Sequence, residues 1–94
     1  EQFKGDVAVI GASALDADGD LLDYELAEVR VSKAILRQAR RSILVCDHSK
    51  LERAAPARLA SLGEINVMVT DRPLPPALAQ RCAEWGTEVV VAAG

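Results

Sequence analysis

An α/β fold built on a mostly parallel sheet is predicted by three features of this sequence. Four short apolar runs recur, at 6–11, 42–46, 66–70 and 88–91, each too short for a helix and bounded by polar or turn residues. Segments of helical period separate the first run from the second and the third from the fourth. Half of the 94 residues are hydrophobic yet only 3% are aromatic, so the core must be assembled from Val, Ile, Leu and Ala. That length holds one small domain and not two. Aliphatic cores of this kind suit packed layers of helix and sheet.

Asp6-Val7-Ala8-Val9-Ile10-Gly11 reads as a buried strand closed by glycine. Residues 12–23 read as a loop rich in Asp and Gly, with Asp18-Gly19-Asp20 as its turn signal. A helix is expected from Tyr24 or Glu25 to about Arg40, with Asp23 as N-cap and Arg37, Arg40 and Arg41 at the end that favours cations. Ala27, Val31, Ala34, Ile35 and Ala39 fall on one face of it. Leu26, Val29 and Leu36 form a second apolar stripe, available to a neighbouring subunit. Strand two is 42–46. The stretch 53–63 reads as either a short helix opened by Pro56 or an alanine-lined loop. Strand three is 66–70, broken by Asp71-Arg72-Pro73. Pro75 and Pro76 start a second helix that ends at about Trp85 and is capped by Gly86. Strand four is 88–91. This order predicts parallel pairing with right-handed crossovers.

Composition removes several function classes. The net charge of −3 argues against a strongly basic DNA-binding surface on this segment. Three aromatic residues cannot build a stacking platform for bases. Cys46 and Cys82, both in apolar contexts, suit a reducing cytoplasm better than a disulfide framework. No apolar run approaches ~18 residues, so no membrane span is expected. A single histidine and two distant cysteines offer no metal-ligand spacing. No cofactor motif of the glycine-rich dinucleotide or Walker type occurs. The chain begins Glu1-Gln2-Phe3 without Met, which suggests a piece of a longer protein, although tag removal would look the same.

Five residues are candidates for chemistry. Asp47, Ser49 and Lys50 leave the second strand together, and the carboxyl ends of parallel strands are the usual ligand-binding edge. Lys50 can meet a phosphate as a point charge, helped by Ser49 and backbone N–H groups. The plainer alternative is a polar strand exit in which Asp47 or Ser49 caps the next turn of chain. Asp16 can accept a hydrogen bond from a ligand hydroxyl, or serve its own turn as an Asx residue. Glu28 sits roughly 60° from Val31 at about 100° per residue, facing either the strand ends or solvent and nearby Arg30 and Lys33. His48 reads as structural, Cys46 as inert packing, and the helix cations Arg30, Lys33, Arg37, Arg40 and Arg41 as a solvated face.

Together these residues carry a resemblance. Asp6-x-Ala8-x-Ile10-Gly11-Ala12-Ser13-Ala14-Leu15-Asp16-x-Asp18-Gly19, then Asp23-Tyr24-x-Leu26-x-Glu28-Val29-x-Val31-x-Lys33-Ala34-Ile35, resembles the C-terminal sensor domain of DeoR-type transcriptional repressors. Arg40-Arg41-x-Ile43-Leu44-Val45-x-Asp47-His48-Ser49-Lys50 continues it, as does Ile65-x-Val67-x-Val69-Thr70-Asp71-Arg72-Pro73-x-Pro75-Pro76. The wording of the loop and of Thr70-Asp71-Arg72-Pro73 is most similar to the glycerol-3-phosphate repressor branch.

The resemblance implies a bacterial cytoplasmic regulator without catalytic residues or cofactor. Its N-terminal winged helix-turn-helix would bind the operator, and its C-terminal domain a phosphorylated sugar or polyol. The fold implied is Rossmann-like, part of a sugar-isomerase-like domain similar to ribose-5-phosphate isomerase. Carried over residue by residue, the effector-binding set falls on Asp16, Glu28, Asp47, Ser49 and Lys50. A homo-oligomer is expected, with DNA contacted only through the N-terminal domain. The DNA-binding domain and the glycine-rich phosphate loop of the sensor have no counterpart in these residues, so half an effector pocket is expected here.

The sequence also departs from the family pattern. Ser32-Lys33 stands where relatives place Lys-Arg or Arg-Ala. Leu51-Glu52-Arg53 replaces Phe-Gly-Arg, and Ala54-Ala55-Pro56-Ala57 replaces Asn-Ala-Met-Val. Glu52 adds negative charge beside the phosphate ligand, against affinity for glycerol 3-phosphate itself. The rival from another class is a sugar-phosphate isomerase-like enzyme with Glu28 as general base.

Overall fold

The computed structural model describes residues 7–51 and 53–92. Four strands form one parallel sheet: β1 (Val7–Ile10), β4 (Arg41–Val45), β6 (Val67–Thr70) and β7 (Glu88–Val91), side by side in that order. Helix α1 (Leu26–Gln38) and helix α2 (Pro76–Trp85) lie in the crossovers. The mixed α/β architecture and the parallel core sheet are therefore as the sequence predicts. The first strand's Asp6 lies outside the described residues, as do Glu1, Gln2, Phe3 and Glu52.

The sequence reading misses a second sheet. β2 (Ala14–Leu15), β3 (Asp20–Asp23) and β5 (Ala57–Ser61) pair antiparallel, in the order β2-β3-β5. Residues 12–23, read as a loop, hold a hairpin, and residues 53–63, read as helix or loop, hold a strand. The reason is length: β2 has two residues and β3 four, too few for a period to show. Asp18-Gly19 is nevertheless a true hairpin signal. Gly19 takes φ +87°, and a Cβ there would lie 2.9 Å from the Trp85 ring.

The main buried cluster gathers on one face of the parallel sheet. Ile10, Leu44 and Met68 from its strands join Val29 of α1, Leu59 and Ala60 of β5, and Leu78 and Cys82 of α2 in one buried cluster. The strand order accounts for this. Strands that advance in one direction with right-handed crossovers put every connection on the same side. The opposite face carries Val7, Val9, Val45 and Val90, and all four are exposed, Val9 by 63%. Purely parallel sheets are ordinarily covered on both faces.

Helix α1 corrects the reading of its two stripes. Val29 is buried and Leu36 packs against the core, whereas Val31 (60% exposed) and Ile35 face outward. The outward apolar residues are thus Leu26, Val31 and Ile35, while Val29 and Leu36, expected to lie in one stripe with Leu26, face the core. The helix rests chiefly on β5, an element the sequence reading did not contain, and this rotates its inner face. Asp23 is not the N-cap. That position is Glu25, and the Asp23 carboxylate instead accepts from the N–H groups of Tyr24 and Glu25 and from the Ser13 hydroxyl. Helix α2 matches its expected bounds, with Pro76 in the first turn and Gly86 at φ +81° closing a Schellman-type end, Thr87 N–H to Cys82 carbonyl at 2.9 Å.

Candidate functional site

The strand exits of β4 and β6 lie next to each other and meet at one group of polar side chains. After β4 the chain makes a single 3₁₀ turn, His48–Lys50. Asp47 caps it: its Oδ1 accepts from the Ser49 N–H at 2.8 Å and also from the Ser49 hydroxyl. These two donors hold the Asp47 carboxyl below the usual carboxylate range, the hydroxyl more than the N–H. The neighbouring Lys50 charge adds to the same effect. Lys50 is half-buried, and among the described residues its ammonium has no ion-pair partner.

Asp71 enters from the exit of β6. Its Oδ1 accepts from the His48 backbone N–H at 2.7 Å, and its Oδ2 lies 2.8 Å from His48 Nδ1. One carboxylate therefore clamps both the backbone and the ring of His48, and ties the two strand exits together. Hydrogen bonding from His48 lowers the Asp71 pKa. Sequence reasoning missed this residue as a site member, although Asp71 stands in the Thr70-Asp71-Arg72-Pro73 signature. The available signal was positional, since a polar residue at the exit of the strand beside β4 must face the β4 exit.

The other two expected residues make no hydrogen bond or ion pair to this group among the described residues. The Asp16 Oδ1 accepts from the N–H groups of Asp18 (3.0 Å) and Asp20 (2.9 Å), so its carboxylate serves its own turn. Just before that turn, Leu15 forms a parallel bridge with Leu51, the residue that follows Lys50. The Leu62 N–H donates to the Gly19 carbonyl at 2.7 Å, and Gly19 packs on Trp85 at the far end of α2. Glu28 is exposed in the first turn of α1, and among the described residues it has no hydrogen-bond or ion-pair partner. The structure thus brings Asp47, Ser49 and Lys50 together with His48 and Asp71, and among the described residues neither Asp16 nor Glu28 is hydrogen-bonded or ion-paired to that group.

Two groups lie beneath the strand exits on the core face. Cys46 is buried, and burial pushes its thiol pKa up to about 11, with Asp47 adding to the rise. Its Sγ lies 3.8 Å from the Asp47 carbonyl. A thiol held protonated there is packing and not a nucleophile. The raised pKa also links stability to pH. The unfolded thiol ionises near 9.0 and the folded one near 11, so the fold is favoured below about pH 9 and loses that contribution as pH rises through this window. The expected outcome is that Cys46 resists alkylation by iodoacetamide at about pH 8 until urea unfolds the chain. Rapid labelling of the native protein would contradict it.

Thr70 shares the face of Cys46, because Leu44 and Met68 are register partners two residues earlier. Its Oγ1 is buried without a hydrogen-bond partner among the described residues. An orphaned hydroxyl costs about 1–3 kcal/mol of desolvation. Thr70→Val should therefore raise stability by about 1 kcal/mol, seen as a higher urea midpoint. A lower midpoint would show that the hydroxyl is satisfied by bound water.

A cleft of about 500 Å³ opens at the opposite end of the sheet, where α1 runs into β4. Lys33, Arg37, Arg40 and Arg58 line it with Glu64 and Asn66. It contains none of the five expected site residues. Among the described residues no group of three His, Cys, Asp or Glu is placed to hold a metal ion.

The family model of the DeoR C-terminal sensor domain matches residues 1–72. The chain belongs to the DeoR C-terminal sensor domain family. Among its relatives, a glycerol-3-phosphate regulon repressor of Haemophilus influenzae is 40% identical over 93 residues, covering 99% of this chain and 36% of the relative. A glycerol-3-phosphate regulon repressor of Escherichia coli K12 is 38% identical over 79 residues, covering 84% and 31%. A deoxyribose operon repressor of the same organism is 29% identical over 69 residues, covering 73% and 27%. The chain thus spans about a third of the length of these DeoR-type relatives. The operons these relatives control differ, so membership of the family does not by itself choose an effector.

Proposed function

We propose that this chain is the C-terminal part of the effector-sensing domain of a DeoR-type repressor, whose sensor domain binds a phosphorylated sugar or polyol and thereby controls operator binding. The observation that carries this reading is the Lys50 ammonium at the carboxyl edge, without an ion-pair partner among the described residues, while the Asp47 and Asp71 carboxylates are occupied by Ser49 and His48. A free cation, a hydroxyl and several N–H donors at a strand edge suit a phosphate monoester. Glycerol 3-phosphate is the first candidate, because the Haemophilus and Escherichia relatives of higher identity are repressors of a glycerol-3-phosphate regulon.

The same reading extends to the rest of the domain. A ribose-5-phosphate isomerase-like sheet continues beyond β1 and brings structure onto the bare Val7, Val9 and Val45 face. The upstream polypeptide supplies that cover, the remainder of the pocket and a winged helix-turn-helix that contacts DNA. Asp16, whose neighbour Leu15 pairs with Leu51 beside the strand-exit turn, and Glu28 would hold ligand hydroxyls. The protein is a cytoplasmic homo-oligomer that binds its effector without transforming it; among the described residues no helix is long and apolar enough to cross a membrane.

A thermal-shift panel of sugar and polyol phosphates on the full-length protein tests the reading. Glycerol 3-phosphate, or another member of the panel, should raise the melting temperature, and the same compound should release operator DNA. Stabilisation by none of them would refute the effector class. Turnover of a stabilising compound would instead favour the isomerase.

A further inference from the structure

We infer that His48 is an effector-contacting residue presented as a hydrogen-bond acceptor for a ligand hydroxyl, and that Asp71 is the positioning residue that fixes it in that form. The inference deepens the proposed function and rests on it for the class of ligand.

Asp71 is ionised, since the hydrogen bonds from His48 hold its carboxyl below the usual range, and an ionised carboxylate only accepts. Its Oδ1 is taken by the His48 backbone N–H at 2.7 Å. Its Oδ2 lies 2.8 Å from Nδ1, so Nδ1 must carry the proton. In the neutral ring the other nitrogen, Nε2, then holds a lone pair and accepts. The ring geometry points Nε2 away from Asp71, and the side chain is 42% exposed, so this acceptor faces outward at the strand edge. In the same turn, Asp47 is committed to Ser49, and the Lys50 ammonium has no ion-pair partner among the described residues. A cation and a neutral acceptor in the same short turn match a phosphate and a hydroxyl on one small molecule. A metal would need further ligands that the described residues do not supply.

The same geometry makes the role of Asp71 testable by an isosteric change. In Asp71→Asn the amide oxygen must still face the His48 backbone N–H, which can only donate. The amide nitrogen is then left opposite Nδ1. Nδ1 must become the acceptor, and the ring proton moves to Nε2, reversing what the ligand meets. A role for Asp71 confined to tying two loops together would leave the tautomer without consequence.

The experiment uses the full-length protein with glycerol 3-phosphate and with propyl phosphate, which keeps the phosphate and lacks both hydroxyls. Nitrogen-15 NMR at about pH 9, above the ordinary imidazole range, reads the tautomer. Wild type should show the proton on Nδ1, and Asp71→Asn should show it on Nε2. His48→Ala and Asp71→Asn should each weaken glycerol 3-phosphate about tenfold, the scale of one lost hydrogen bond, and leave propyl phosphate unchanged. A wild-type proton on Nε2 overturns the inference, as does equal weakening of both phosphates or none. Failure of the wild type to bind glycerol 3-phosphate, with the Nδ1 proton present, overturns the effector assignment and leaves the Asp71–His48 tautomer established.

Discussion

Lys50→Ala in the full-length protein is expected to abolish the response to a phosphorylated effector while operator affinity stays unchanged. The ammonium stands at the end of a single 3₁₀ turn in which Ser49 is engaged with Asp47, and His48 is held by Asp71 through its backbone N–H and Nδ1. Its field reaches Asp47 and Cys46, adding to the lowering of the first and opposing the rise that burial causes in the second. Removing it would delete the one cation that the strand-exit turn offers to a phosphate. A hydrogen bond to a charged group contributes about 1.5–3 kcal/mol, so effector affinity should fall by roughly ten- to a hundredfold. Induction depends on the difference in affinity between two states, and a ligand that loses that difference shifts nothing. Lys50→Arg keeps the charge and should restore part of the response. Fluorescence anisotropy of labelled operator, titrated with effector, separates the two quantities. Unchanged release by Lys50→Ala would end the role assigned to this residue.

How much of the site was legible depended on the range of the contacts. Asp47, Ser49 and Lys50 are neighbours in the chain, and their capping turn needs only local geometry. The wider parallel sheet was legible for a similar reason, since runs such as Val67 to Thr70 and Glu88 to Val91 announce strands by themselves. The His48–Asp71 clamp spans 23 residues and exists because β4 and β6 are adjacent in the sheet. Nothing local in Thr70-Asp71-Arg72-Pro73 shows that pairing. The antiparallel sheet was hidden for a third reason. β2 and β5 are stabilised mainly by burial of Leu15, Leu59 and Ala60 against the common core, and a two-residue strand has no pattern of its own. Missing β5 in turn misassigned the inner face of α1, because the element that buries Val29 and Leu36 was absent from the reading.

Trp85→Ala is expected to weaken the fold severely. The indole is 38% exposed, and solvent contact alone would suggest a tolerant position. Its neighbours say otherwise. A Cβ at Gly63 would lie 2.8 Å from the ring, and one at Gly19 would lie 2.9 Å away, so two glycines leave room for this one side chain. The ring therefore joins three separate segments: the end of α2, the β2–β3 turn and the 3₁₀ turn Leu62–Glu64. Aromatic-to-alanine changes in packed sites cost about 3–5 kcal/mol, and partial exposure places this one near 3 kcal/mol. Domains of this size hold only about 5–15 kcal/mol in total, so the variant should lose a large share of its stability. The Asp16 turn, which Gly19 anchors, should loosen with it. Far-UV circular dichroism in urea measures the loss without relying on the missing fluorophore. Gly63→Ala gives the complementary test. It should cost more with Trp85 present than in the Trp85→Ala background, because the clash needs the ring. Additive effects, or a loss below about 1 kcal/mol for Trp85→Ala, would show that the indole merely covers these turns and does not hold them.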